Sequence, residues 1–268
     1  MTGTIPANGV QTAYRFDGPE SGRVVLLGNS LMSSYDMWEK TVPALADRYR
    51  VLRYDTRGHG RSSTPPGPYS IAQLADDAAA LLDALGIPAA HVAGLSMGGM
   101  VAQQLGARYP DKVHSLALCD TASEMPPRAM WEERLEIART KGIAGLVDGT
   151  IKRWFTEDFI RRAPQDIEKV RRMILATGVE GYMACAGAVR DMAQTAMLLK
   201  IRKPTLVMTG RHDPACTVEQ STVLHRMIDG SLMLVLEDAA HLSNIEQPEA
   251  FNRALRGFID RVDDRLPD

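Results

Sequence analysis

Cysteine is scarce in this chain of 268 residues, which contains only Cys119, Cys185 and Cys216. The number is odd, and the spacing fits neither a zinc site nor a disulfide framework. The six histidines are not paired at the spacing of metal ligands, and no glycine-rich segment matches a nucleotide-binding loop. We therefore expect a reduced, cytoplasmic protein without a bound metal or cofactor.

A strong charge of one sign is also absent. Lysine plus arginine total 31 and aspartate plus glutamate 33, so the formal net charge is −2 at pH 7, and we expect neither nucleic acid nor membrane as a partner. No apolar run approaches the roughly 18 residues of a membrane span, and the first residues, MTGTIPANGVQTAYRFDG, contain no apolar stretch typical of a secretion signal. With 45% hydrophobic residues, the composition indicates a globular protein with a core.

Short apolar runs alternate with longer helical patterns along the chain. The predicted strands are 23–27, 49–55, 91–95, 113–119, 204–210 and 232–238. Most are apolar on both faces, which is typical of a parallel sheet covered by helices. Helical spacing of apolar residues occurs in 70–86, 100–110 and 248–262. This alternation predicts an α/β fold, with a mostly parallel sheet flanked by helices.

One stretch breaks the alternation. Between about residues 123 and 199, helical patterns separated by prolines and glycines occur without a convincing strand. We expect 1–122 and 200–268 to form one core, and 123–199 to form a helical lid over the carboxyl edge of the sheet. Ligands bind at that edge in open α/β folds.

The segment HVAGLSMGGMVAQQLG contains the pattern G-x-S-x-G centred on Ser96. It follows a predicted strand and precedes a predicted helix, and a turn of this kind exposes the serine hydroxyl above the sheet. The flanking glycines are needed because a Cβ would clash, and the helix N-terminus favours developing negative charge. The alternative is a turn that only packs. We predict that Ser96 is a nucleophile.

A serine nucleophile needs a general base and a group that orients the base. In this kind of turn the chain order is serine, then an acid, then histidine. TGRHDPACT offers Asp213 and LEDAAHLSNIEQPE offers His241, each directly after a predicted strand. Asp120, which follows the strand ending at Cys119, is the alternative acid.

The segment VVLLGNSLMSS passes from an apolar strand into small and polar residues. Attack by Ser96 on an acyl carbon creates an oxyanion that two preorganised donors must stabilise. One is the N–H after the serine, which belongs to Met97, and the other comes from the loop after an early strand. We predict Leu31 as this second donor. A plain loop is the alternative.

Several motifs together make the chain resemble α/β-hydrolases of the lid-bearing esterase and lactonase type, over nearly its whole length. They are RYDTRGHGRS, PPGPYSI, GLSMGGM, RWFT, GYMACAGAVRD and HLSNIEQP, with NSL in the early loop. Most such enzymes carry His-Gly at the positions of Asn29 and Ser30. This chain has NSL there instead, and together with the other motifs it resembles the 3-oxoadipate enol-lactonases. The resemblance implies an α/β-hydrolase fold in which the helical lid follows the sixth strand.

The resemblance also implies an activity. A serine hydrolase of this type opens 3-oxoadipate enol-lactone to 3-oxoadipate through an acyl-enzyme, in the β-ketoadipate branch of bacterial aromatic degradation. Such a substrate carries a carboxylate, so its pocket needs a cation or several donors. Arg153 and Arg190 are the cation candidates in the lid, and Trp154 is a candidate apolar wall. Asn29 either contacts the substrate or holds its own turn.

Other activities share these residues. A carboxylesterase or lactonase with a broader or different substrate range is the main alternative, and a perhydrolase or a C–C hydrolase is a further one. A binding protein on a hydrolase fold is an alternative of another class. The expected partner is a small lactone or ester, and a homodimer is left open.

Overall fold

The computed structural model of the protein describes residues 1–125 and 127–267. A single sheet contains the strands β1 (Thr2–Ala7), β2 (Val10–Asp17), β3 (Val24–Gly28), β4 (Arg50–Tyr54), β5 (Ala90–Leu95), β6 (Val113–Cys119), β7 (Thr205–Gly210) and β8 (Leu232–Leu236). Their order is β1-β2-β4-β3-β5-β6-β7-β8. β2 runs antiparallel to both β1 and β4, and all neighbours from β4 to β8 are parallel.

Helices cover this sheet and fill the connections. They are α1 (Ile71–Ala84), α2 (Met97–Arg108), α3 (Arg128–Lys141), α4 (Val147–Trp154), α5 (Glu157–Arg162), α6 (Pro164–Leu175), α7 (Val179–Arg190), α8 (Val218–Met227), α9 (Ser243–Glu246) and α10 (Pro248–Asp263). No helix within the described ranges has the length and apolar character needed to cross a membrane.

The burial of the strands explains why the apolar runs predicted a mostly parallel sheet. Every residue of β3, β5 and β7 is buried, whereas the edge strands β1 and β8 alternate between more and less exposed residues. Strands in the middle of a sheet covered by helices are apolar on both faces. The α/β prediction is confirmed.

The hairpin of β1 and β2 was not among the predicted strands. Its turn is Asn8-Gly9, with φ of 47° and 75°, and an Asn-Gly pair between two extended runs is a strong hairpin signal. The run TGTIPA has few apolar residues because β1 lies at an edge and one of its faces is exposed. The periodicity was therefore weak, and only the turn could have indicated these strands.

Helices α3 to α7 lie between β6 and β7. In the described part of this segment the β-structure is limited to an isolated bridge between Glu124 and Ala193. The action of these helices as a lid, with bounds at 123–199, stays a prediction.

The parallel strands end at one edge of the sheet, which gathers the candidate residues. The strands ending there include β3, β5, β6, β7 and β8, and the loops after them carry Leu31, Ser96, Asp120, Asp213 and His241, respectively. Helix α2 starts very close to β3, since a Cβ on Gly98 would lie 2.3 Å from the carbonyl carbon of Gly28. Glycine at this position therefore lets the N-terminus of α2 approach the edge.

Candidate active site

Ser96 lies at the junction of β5 and α2 with an unusual backbone. Its φ is 55° and its ψ is −117°, a conformation that L-residues adopt only where the surroundings enforce it. Its N–H donates to the carbonyl oxygen of Cys119 at 2.9 Å, and the hydroxyl of Thr121 donates to its carbonyl oxygen at 2.7 Å. The end of β6 thus holds both sides of the serine backbone.

His241 and Asp213 form a buried hydrogen-bonded pair. His241 Nδ1 donates to Asp213 Oδ2 at 2.8 Å, and the other carboxylate oxygen accepts from the N–H groups of Ala215 and Cys216 at 2.7 and 3.0 Å. Burial alone would lower the pKa of His241, but the charge and hydrogen bond of Asp213, with a contribution from Asp120, hold that pKa above its usual value. This arrangement leaves Nε2 as the free ring nitrogen.

Asp120, the alternative acid, is engaged elsewhere. Its Oδ1 accepts from the N–H of Gly210 at 2.8 Å, and its Oδ2 accepts from the hydroxyl of Ser243 at 2.5 Å. Burial, reinforced by the charge of Asp213, raises the pKa of Asp120 to about 8. The His241 ring therefore donates to Asp213, the acid that the chain order indicates, and not to Asp120.

Two backbone N–H groups near Ser96 have no acceptor within the described part of the chain. Among the residues that the structure describes, the N–H groups of Leu31 and Met97 have no hydrogen-bond acceptor. The neighbouring N–H groups do have acceptors. Ser30 N–H donates to Met37 Sδ at 3.3 Å, and Gly98 N–H donates to the Asn29 carbonyl oxygen at 2.9 Å. An unpaired buried donor is costly unless a ligand satisfies it.

A cavity of about 60 Å³ brings most of the predicted residues together. Its lining includes Leu31, Ser96, Met97, Arg153, Trp154 and His241. The Trp154 ring stacks on the imidazole of His241, with 6.3 Å between centroids. Further walls are apolar and rich in methionine: Met32, Met100, Met125, Met130 and Val189.

Two predicted substrate-binding residues lie outside this lining. The Asn29 amide donates to the carbonyl oxygen of Tyr54 at 2.6 Å and accepts from Trp38 Nε1 at 3.0 Å, so it holds its own turn. The Arg190 guanidinium pairs with the adjacent Asp191 at 2.6 Å. The geometry therefore gives no support to substrate contact by either residue.

Arg134 was not predicted and lies in the cavity lining. Its Nε donates to the Tyr182 hydroxyl at 3.3 Å, and its guanidinium lies over the Trp131 ring at 5.6 Å from the centroid. Within the described ranges neither Arg134 nor Arg153 forms an ion pair with a carboxylate. The signal available in the sequence was the spacing of three residues after Trp131, which places both side chains on one face of α3.

One group of potential metal ligands forms in the described part of the chain, namely Asp213, Cys216 and His241, with atoms within 4.8 Å of one another. Burial and the charge of Asp213 raise the pKa of the Cys216 thiol, so it is not a thiolate. Asp213 and His241 already bond to each other. This donor set does not fit a metal ion, which binds a deprotonated thiol.

A larger cavity of about 660 Å³ lies between the turn at 35–38 and α6. The Lys40–Asp166 ion pair, at 2.7 Å, contributes to its wall. Ser96, Asp213 and His241 are all outside its lining. We therefore place the candidate active site in the smaller cavity despite the difference in size.

Comparisons with known proteins identify the family to which the chain belongs. A family model described as alpha/beta hydrolase fold matches residues 23–142. The 3-oxoadipate enol-lactonase 2 of Acinetobacter baylyi is 37% identical over 258 residues, which cover 96% of each chain. The chain thus belongs to the α/β-hydrolase family.

Two solved structures of hydrolases are similar to this chain over nearly its whole length. The enol-lactonase from Burkholderia xenovorans LB400 superposes with a TM-score of 0.94 and 38% identity, covering 96% of this chain and 100% of that one. A thermophilic esterase from Thermogutta terrifontis, solved with malate bound, has a TM-score of 0.91 and 32% identity, covering 98% and 99%. This protein is a carboxylic ester hydrolase similar to the 3-oxoadipate enol-lactonases.

Proposed function

We propose that Ser96, His241 and Asp213 form a catalytic triad that hydrolyses 3-oxoadipate enol-lactone to 3-oxoadipate. The observation that carries the proposal is the shared cavity. It brings together a strained serine, the imidazole paired with Asp213 and two N–H groups that have no acceptor in the chain as described. These are the nucleophile, the base with its orienting acid, and the oxyanion donors that acyl transfer requires.

The first half-reaction opens the ring. Ser96 Oγ attacks the lactone carbonyl carbon while its proton passes to His241 Nε2. The resulting oxyanion accepts hydrogen bonds from the N–H groups of Leu31 and Met97. The bond between the acyl carbon and the ring oxygen then breaks, and the enol oxygen takes the proton from His241. The released enol becomes a ketone, still attached to the acyl-enzyme.

The second half-reaction releases the acid. His241 takes a proton from water, the water oxygen attacks the acyl carbon, and the tetrahedral intermediate uses the same two N–H donors. Collapse returns the proton to Ser96 Oγ and frees the carboxylic acid. Asp213 holds the imidazole orientation and stabilises the imidazolium in both half-reactions.

Charge and shape support a small acidic substrate. The cavity is compact, and its lining includes five methionines and two tryptophans. Two guanidinium groups that have no carboxylate partner among the described residues also lie on it. A bidentate guanidinium matches the geometry of a carboxylate. We assign Arg134 and Arg153 as the groups that bind the free carboxylate of the lactone.

Kinetics on two substrates test the proposal. We expect kcat/KM to be far higher for freshly generated 3-oxoadipate enol-lactone than for p-nitrophenyl acetate. Ser96→Ala should lower both by several orders of magnitude, by analogy with other triads, where the loss is about 10⁶-fold. Fast ester hydrolysis with a slow lactone would retain the triad and reject this substrate. Near-normal turnover by Ser96→Ala would reject the mechanism.

A further inference from the structure

The N–H group of Leu31 can stabilise an oxyanion only if its peptide group keeps one orientation. The nitrogen of Leu31 and the carbonyl oxygen of Ser30 belong to the same peptide group, and in a trans peptide N–H and C=O point in opposite directions. A contact that fixes this carbonyl oxygen therefore also fixes the N–H. Rotation of the peptide would turn the carbonyl toward the cavity and remove the donor.

A buried hydroxyl makes such a contact. Ser33 Oγ donates to the carbonyl oxygen of Ser30 at 2.6 Å, and Ser33 is 1% exposed. The hydrogen bond holds the carbonyl within the loop. The N–H of the same peptide group has no partner in the described chain, and Leu31 lines the small cavity. The donor is thereby directed away from its own loop.

The next peptide group is held by a different residue. The N–H of Met32 donates to Nε2 of His59 at 3.1 Å, and Nδ1 of the same ring lies 3.4 Å from the carbonyl oxygen of Arg57. Met32 has a φ of 63°, an uncommon conformation for a residue with a Cβ that needs support from its surroundings. His59 is buried and supplies that support.

We propose that Ser33 and His59 are positioning residues that fix the two peptide groups on either side of Leu31, so that the Leu31 N–H stays aimed at the reacting carbonyl oxygen. The inference rests on the proposed function, because it assigns a purpose to the Leu31 N–H. Neither side chain needs to touch the substrate. Ser33 acts through the Ser30 carbonyl, and His59 acts through the Met32 N–H.

The test compares Ser33→Ala with Ser34→Ala. Ser34 is the adjacent hydroxyl; it accepts from the N–H of Asp36 and makes no contact with the Ser30 carbonyl. With p-nitrophenyl acetate as substrate, we expect Ser33→Ala to lower kcat by about tenfold to hundredfold, the range for a misplaced oxyanion donor. Its KM should stay within about twofold, since the donor acts on the transition state. Ser34→Ala should leave kcat unchanged.

A tetrahedral adduct supplies a second readout. Phenylboronic acid forms such an adduct with a serine nucleophile, and one of its oxygens occupies the oxyanion position. Its inhibition constant should rise in Ser33→Ala by about the same factor as kcat falls. His59→Leu, which removes the acceptor and keeps much of the bulk, should behave similarly. In the variant that combines both substitutions, kcat should decrease by less than the product of the two single decreases. The reason is that Ser33 and His59 position the same N–H donor.

The outcomes separate the inference from the proposed function. Equal kcat in Ser33→Ala and Ser34→Ala, with Ser96→Ala inactive, would overturn the positioning role and leave the triad intact. A kcat loss in Ser33→Ala with unchanged boronate inhibition would also overturn it. Activity retained in Ser96→Ala would reject the proposed function itself. If His59→Leu fails to fold, as its melting curve would reveal, Ser33→Ala decides alone.

Discussion

At the scale of single residues, two buried carboxyl groups near the imidazole have different surroundings. Asp213 bonds to the His241 ring at 2.8 Å and to two backbone N–H groups. Asp120 bonds to Gly210 and Ser243. We therefore propose Asp213 as the catalytic acid, whereas Asp120 connects the end of β7 and the segment after β8 to the end of β6.

Replacing the acid tests this division. We expect Asp213→Asn to lower kcat by about 10⁴-fold, as the equivalent change does in another triad, because the imidazole is left in the wrong tautomer. In the wild type, kcat/KM should decrease at low pH with an apparent pKa above 6.5, because the pKa of His241 is raised. In Asp213→Asn this apparent pKa should be lower. A kcat within tenfold of wild type would contradict the assignment.

Asp120 should make stability depend on pH. Its pKa in the folded protein is about 8, above the ordinary 3.8, so the folded state holds a proton that the unfolded chain has released. The stabilising contribution is complete below about pH 4 and is lost as the pH rises through about 8. The Tm of the wild type should therefore fall relative to that of Asp120→Asn over this interval. A difference in Tm that is independent of pH would contradict this.

At the scale of elements, the close approach of α2 and β3 sets where the serine stands. Gly98 has no room for a side chain, because a Cβ there would also lie 2.8 Å from the Asn29 nitrogen. The loop after β3 therefore lies beside the start of α2. Leu31 in that loop and Met97 in α2 line one cavity, and within the described ranges neither N–H has an acceptor.

Replacing each of two helical glycines by alanine separates the effect of this close approach from the effect of helix propensity. Gly98→Ala must push α2 from β3, so we expect a large drop in Tm and loss of ester hydrolysis. Gly149→Ala is the matched control, since a Cβ at this helical glycine meets nothing within 4 Å. Alanine there should be neutral or stabilising, by up to about 1 kcal/mol. A folded, active Gly98→Ala protein would show that the close approach is dispensable.

The position of each residue in its element explains which site residues could be predicted from the sequence. Ser96, Asp213 and His241 each follow a strand, and parallel strands end at one edge, so chain order and topology were sufficient to gather them. Arg134 could not be predicted in the same way. It lies within α3, and the face of a helix that meets a cavity depends on packing between elements distant in sequence.

At the scale of the whole molecule, the cavity is built between the core and the helices that precede β7. Strand-end loops provide Ser96 and His241, whereas α3 and α4 provide Arg134 and Arg153. The two parts are joined near the site, because the Leu242 N–H donates to the Trp154 carbonyl oxygen at 3.1 Å. In the proposed function, substrate selection and bond cleavage thus belong to different parts of one molecule.

This division predicts that a change in α3 impairs binding of the lactone and spares a neutral ester. Arg134→Ala should raise KM for the carboxylate-bearing lactone by about 10- to 100-fold, the equivalent of roughly 1.5–3 kcal/mol for a charged hydrogen bond. It should leave p-nitrophenyl acetate, a neutral ester, nearly unaffected. Arg139→Ala is the control on the same helix, because Arg139 is exposed and pairs with Glu136. An equal loss on both substrates would remove Arg134 from substrate recognition.

The central claim is that Ser96 becomes acylated during turnover, and trapping that intermediate tests it most directly. The protein would be mixed with p-nitrophenyl acetate, quenched in acid within milliseconds to seconds, digested and examined by mass spectrometry. The account predicts an acetyl group on Ser96 that is absent in Ser96→Ala. Rapid hydrolysis with Ser96 unmodified at every quench time, or an acyl group on another residue, would contradict it.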